Sequence, residues 1–131
     1  MAKVVARSGL DPAAPNVIIP TVPVELNGES APSYVWKAGQ RHRVRLINIT
    51  PDDILTMALE TAQGLTTWKP LTKDGASLPQ HLRAEVPARQ TIAVGETYDF
   101  EVELSPVSHN LWIDVRSTAG KWLAQGHVIV K

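Results

Sequence analysis

At 131 residues the chain has the length of one domain, and its 13 Lys+Arg are balanced by 13 Asp+Glu. That neutrality argues against a nucleic-acid binder, which would carry a basic excess. The absence of Cys excludes a disulfide framework, a Cys-ligated zinc, a thiol nucleophile and any copper centre that needs a thiolate.

Residues 1–20 are expected to form a linker or arm, because Pro12 and Pro15 punctuate Arg7–Asn16 and no period is visible. Residues 1–5 lack the apolar region of a signal peptide, and no run in the chain approaches the roughly 20 apolar residues of a membrane span. The domain itself occupies residues 21–131. Val17–Leu26 reads as a strand, but Pro20 and Pro23 cannot donate to a ladder and so place it at a sheet edge or break it. Arg41–Ile49 is a second strand, in which the apolar pair Leu46-Ile47 interrupts the alternation and predicts a bulge.

The next segment reads two ways. Thr50 at the N-cap, Pro51 at N1, and Ile54, Leu55, Ala58, Leu59 and Ala62 before Gly64 make an amphipathic helix. The same residues make a strand with Leu55, Met57 and Leu59 inward. Further on the period is two. Tyr98, Phe100, Val102 and Leu104 share one face, with Thr97, Asp99, Glu101 and Glu103 on the other. Leu111, Ile113 and Val115 alternate likewise with Trp112, Asp114 and Arg116, and Lys121–Val130 is a last strand. Turn signals at Asn27-Gly28, Ala38-Gly39, Gln63-Gly64, Asp74-Gly75, Val94-Gly95 and Ala119-Gly120 separate these runs, the pattern of an all-β sandwich or barrel.

Few residues offer chemistry. Arg41, Arg43 and Arg45 could meet a phosphate, but Asp99, Glu101 and Glu103 supply an acidic counterpart, and Arg43 or Arg45 paired with Asp99 is the preferred arrangement. Nothing in the spacing of His42, His81, His109 and His127 supports a metal site. No Gly-x-Ser-x-Gly elbow exists, and the adjacent Asp52 and Asp53 cannot straddle a substrate, so the isolated chain is not expected to be catalytic. Trp68 and Trp112 are candidate interface residues. Trp112 in particular falls on the polar side of its strand, where an indole stacks on a sugar ring or is covered by a neighbouring domain. Asn48-Ile49-Thr50 matches a glycosylation sequon but ends a strand before Pro51, so it is read as chance.

Four pieces together resemble a known family. Leu26-Asn27-Gly28, then Ala38-Gly39-Gln40-Arg41-His42-Arg43-Val44-Arg45-Leu46-Ile47-Asn48, then Lys73-Asp74-Gly75 and Val94-Gly95-Glu96-Thr97-Tyr98-Asp99-Phe100 follow the order of the second cupredoxin domain of three-domain, laccase-like multicopper oxidases. The resemblance covers roughly residues 21–131. It implies a cupredoxin-like Greek-key β-sandwich or barrel of about seven to nine strands, with Leu55–Glu60 a strand. It also implies a domain with no cofactor of its own: the chain has neither Cys nor His-x-His, and copper is expected in the parent's other domains. Such a domain would space its copper-bearing cupredoxin neighbours and line a substrate cleft, with Asp74 the candidate cleft residue, although Asp-Gly is also a good turn former. The parent would be a periplasmic or secreted oxidoreductase. Assembly into oligomers is left open, and the alternative is a free-standing β-sandwich that binds carbohydrate or protein through exposed Trp.

Overall fold

Period-two patterning becomes strand throughout the computed structural model, which describes residues 24–131 and the backbone of residues 2–7. In chain order the strands are β1 (Ala2–Arg7), β2 (Glu25–Leu26), β3 (Ser33–Trp36), β4 (Arg41–Asn48), β5 (Leu55–Thr61), β6 (Gly64–Leu65), β7 (Thr67–Lys73), β8 (Ala76–Ser77), β9 (Val86–Pro87), β10 (Arg89–Ile92), β11 (Thr97–Glu103), β12 (His109–Ser117) and β13 (Trp122–Val130). Helix is confined to a single 3-10 turn, Gln80–Leu82, among the described residues. One sheet runs β2-β1-β4-β11-β7-β8, with β9 also on β7; the other runs β10-β5-β12-β13-β3, with β6 also on β5. Among the described residues each sheet holds one parallel pair, β1 with β4 and β3 with β13.

The core lies between the sheets. Val44, Leu46, Phe100 and Val102 point inward from the first; Leu55, Met57, Leu59, Leu111, Ile113, Val115, Val128 and Val130 point inward from the second. Trp68 closes the packing and stacks on Phe100 with ring centroids 3.9 Å apart.

The segment that reads two ways is a strand. Thr50 does what an N-cap would do, since its Oγ1 accepts from the Asp53 amide at 3.2 Å, yet the chain then extends as β5. A cap is worth about 1 kcal/mol. Leu55, Met57 and Leu59 are all at most 1% exposed, and burying each side chain contributes roughly 1.5–3 kcal/mol. The strand wins on magnitude.

Two further expectations are corrected. β4 carries no bulge against β11: the pairing runs unbroken from Arg41 opposite Glu103 to Ile47 opposite Thr97. Ile47 simply stands on the outer face. The register shifts fall instead between Asp99 and Phe100 against β7, and between Val115 and Arg116 against β13. The segment expected to be an arm also begins inside the sheet, because Ala2–Arg7 pairs along β4 with Val4 opposite Leu46. Its β-branched Val4-Val5 suits a strand, and it covers what would otherwise be an open sheet edge. The rest of that segment, and the proline-bearing part of Val17–Leu26, lie outside the described residues.

One polar side chain joins the sheets. Asn48, the last residue of β4, is fully buried. Its Nδ2 donates to the carbonyl of Ile92 on the second sheet (2.9 Å) and to that of Asp53 (2.7 Å). Its Oδ1 accepts from the amide (3.0 Å) and hydroxyl (2.7 Å) of Thr50. The Asn-x-Thr sequence is therefore a structural clamp, with no amide free to carry a sugar. Asn48→Asp keeps the size but removes both donors, leaving two carbonyls facing a carboxylate. The expected loss is about 3 kcal/mol in urea unfolding, and an unchanged midpoint would overturn the clamp.

Candidate functional site

The outer face of the first sheet concentrates the charged residues. Alternation puts Arg41, Arg43, Arg45 and Ile47 of β4 outward beside Thr97, Asp99, Glu101 and Glu103 of β11, with Asp99 opposite Arg45 and Glu101 opposite Arg43. The structure brings Arg43, Arg45 and Asp99 together. Arg45 donates through Nε to Asp99 Oδ1 (2.8 Å) and through Nη2 to Oδ2 (2.9 Å), and Arg43 Nε donates to Oδ2 (2.9 Å). The Asp99 side chain is 3% exposed, whereas those of Arg43 and Arg45 are 45% and 37% exposed.

This asymmetry decides the energetics. The Arg45 hydrogen bond, reinforced by Arg43, holds the Asp99 carboxyl below its usual pKa against the opposing effect of burial. Its partner Arg45 is raised by the same bond. Asp99→Ala releases two guanidiniums that already touch water and should cost about 2 kcal/mol. Replacing both Arg43 and Arg45 with Met strands a buried carboxylate, so thermal unfolding should show a larger loss than Asp99→Ala. The reverse order would reject the assignment. Because the folded pKa is depressed, the stabilisation is complete above the unfolded value of about 3.9 and disappears as pH falls through the folded one. Asp99→Asn should therefore lose less stability than the parent between pH 4 and pH 2, measured by urea midpoints.

Beside this cluster lies a groove of about 300 Å³, lined by Arg45, Ile47, Thr72, Asp74, Thr97 and Asp99. Asp74 (φ 48°) and Gly75 (φ 80°) turn the β7–β8 hairpin through the left-handed region, where Asp-Gly is favoured. The Asp74 carboxylate accepts from the Thr97 amide at 2.9 Å, and the Asp74 amide donates to the Thr97 carbonyl at 2.8 Å. Lys73 meets Glu96 at 3.0 Å and lies 5.5 Å from the centre of the Tyr98 ring. Glu96 in turn accepts from the Ala93 amide at 2.7 Å, the main reason its pKa is lowered.

The other sequence candidates scatter. Trp68 is 2% exposed and cannot offer a surface to a partner; its stack on Phe100 corrects its assignment as an interface residue, and its indole Nε1 has no hydrogen-bond partner among the described residues. Trp112 is half-buried on the outer face of the second sheet, stacked on His127 with ring centroids 5.7 Å apart. The exposed indole is Trp122, at 55%. Its Nε1 donates to Asp114 Oδ1 at 2.6 Å, and Arg116 Nε donates to Oδ2 at 2.7 Å, which pairs a carboxylate that is otherwise fully covered. Sequence reasoning missed this trio, although an Asp at an outward strand position beside Arg116 was its available signal.

The imidazoles stay apart. His42 stacks on Trp36 and meets the Lys37 carbonyl, His127 meets Asn110, and His109 meets the Val107 carbonyl. No group of three or more His, Asp or Glu that could hold a metal occurs among the described residues. With no thiolate in the sequence, this donor set does not fit a blue-copper centre.

Two facing mixed sheets of this kind form a cupredoxin-like β-sandwich, the architecture of multicopper oxidase domains. Solved structures of that class overlay almost the whole chain. The laccase from Botrytis aclada matches with a TM-score of 0.74 and 17% identity, over 98% of this chain and 28% of the laccase. Fet3p, a multicopper oxidase that functions in iron import, matches with a TM-score of 0.77 and 10% identity, over 97% and 27%. A blue copper oxidase from Nitrosomonas europaea matches with a TM-score of 0.69 and 14% identity, over 99% and 44%. At these identities the likeness is one of fold, and the chain spans less than half the length of each. No protein-family model matches the sequence, and no curated protein does.

Proposed function

We propose that the chain is a copper-free structural domain of a multicopper oxidase, spacing copper-bearing cupredoxin domains and lining their substrate cleft with the groove at Asp74. The observation that carries this reading is a whole cupredoxin-like sandwich combined with a donor set that does not fit blue copper. Matches over 27–44% of longer oxidases supply the room for neighbours. In this reading the outer face of the second sheet, where Trp112 and the exposed Trp122 sit, is covered by a neighbouring domain.

The chain's own residues contribute shape and polarity, and no electron transfer is assigned to them. Asp74 would accept a hydrogen bond from a donor group of the substrate while its hairpin stays fixed by Thr97. Titration of the chain with Cu(II) is expected to give no intense visible charge-transfer band, and the surrounding reading frame is expected to encode the missing His-x-His and His-Cys-His runs. An intense blue band, or a frame without those runs, would overturn the reading.

A further inference from the structure

The groove holds two groups of opposite charge, each with bonding capacity the fold leaves unused. Arg45 is held by Asp99 through Nε and Nη2, and its Nη1 has no partner among the described residues. Asp74 uses Oδ1 for the Thr97 amide, and its Oδ2 has no partner among the described residues. Both side chains line the same groove, and half-buried Ile47 lines it with them.

The strand register sets their spacing. Asp74 is bound to Thr97, and Arg45 stands opposite Asp99, two residues further along β11. Two strand residues advance the chain about 7 Å, and because β4 and β7 flank β11 the two backbones also lie about two strand spacings, roughly 10 Å, apart across it. Neither group is loose: a two-pronged ion pair fixes the guanidinium, and a left-handed turn plus a side-chain bond fixes the carboxylate. Groups ordered in advance lose little entropy on binding.

We propose that this groove binds an unbranched zwitterionic ω-amino acid, with its carboxylate on Arg45, its ammonium on Asp74 and its methylenes across Ile47. Charge-assisted hydrogen bonds at both ends favour such a molecule over one with a single charged end. The spacing selects length as well. Counting a hydrogen bond of about 2.8 Å at each end, an extended chain of five methylenes, as in 6-aminohexanoate, is the expected fit to groups on strands either side of β11, and an α-amino acid the expected misfit. The inference shares its groove with the cleft reading above but asks nothing of flanking domains or copper.

The test is an amide-resolved NMR titration of the 131-residue chain with 6-aminohexanoate, hexanoate, hexylamine and glycine. Saturable shifts at Thr72, Gly75 and Thr97 are expected with 6-aminohexanoate. Each one-ended analogue should bind up to about fivefold more weakly, the worth of one exposed ion pair. Asp74→Asn keeps an oxygen for the Thr97 amide and should bring 6-aminohexanoate down to the level of hexanoate, leaving hexanoate itself unchanged. Equal binding of all four probes, or shifts confined to another surface, would overturn the proposal. Should the Asn variant fold poorly, the analogue series on the parent chain decides alone. A negative titration leaves the copper result untouched, and a blue band on copper addition leaves the titration untouched, so the two readings fail separately.

Discussion

A single buried carboxamide sets how the two sheets meet. Asn48 ends β4 on the first sheet, yet its side chain holds the carbonyl of Ile92 on the second and the turn that launches β5. Its backbone carbonyl also accepts from Gly95, and its amide donates to Glu96, at the turn before β11. Three chain segments therefore converge on one residue with every side-chain hydrogen bond satisfied. Burying an amide is unfavourable unless it is fully bonded, so this position tolerates only a side chain with two donors and an acceptor at the same reach. That requirement makes the sandwich corner specific as well as stable.

The motifs that carry the family resemblance are largely contacts with one another. Arg43 and Arg45 from the basic strand meet Asp99 of the Tyr-Asp-Phe strand. Lys73 and Asp74 of the hairpin meet Glu96 and Thr97 just before it. Asn48 closes the same corner through the Gly95-Glu96 backbone. Three of the four signals that look separate along the sequence form one bonded unit in space; Leu26-Asn27-Gly28 lies outside it. Their order was legible because each is needed to satisfy another, and the all-β class was legible because Tyr98, Phe100 and Val102 alternate so strictly.

What stayed hidden in the sequence was decided by long-range packing. Thr50-Pro51-Asp52-Asp53 is a good helix start, and Thr50 makes the capping bond, but burial of Leu55, Met57 and Leu59 draws the following residues into β5. Trp68 could not be told from an interface Trp without knowing that β7 packs it against Phe100. Asp114 looked like one more outward acid. Only the bulge between Val115 and Arg116 aligns Trp122 with Arg116, and that alignment lets the indole cap the carboxylate.

The two outer faces end up with different chemistry, and that difference carries the functional argument. The first sheet pairs its charges internally, from Arg41 with Glu101 to Arg43 and Arg45 with Asp99, and leaves a polar groove at the hairpin. A surface that has satisfied its own charges gains little from a protein partner, because paired groups would have to be desolvated again. The second sheet instead presents Val35 at 61% exposure and Trp122 at 55%. Apolar area on a flat sheet face is what a neighbouring domain can cover at a net gain. The polar groove of the first sheet and the aromatic face of the second are thus chemically distinct surfaces.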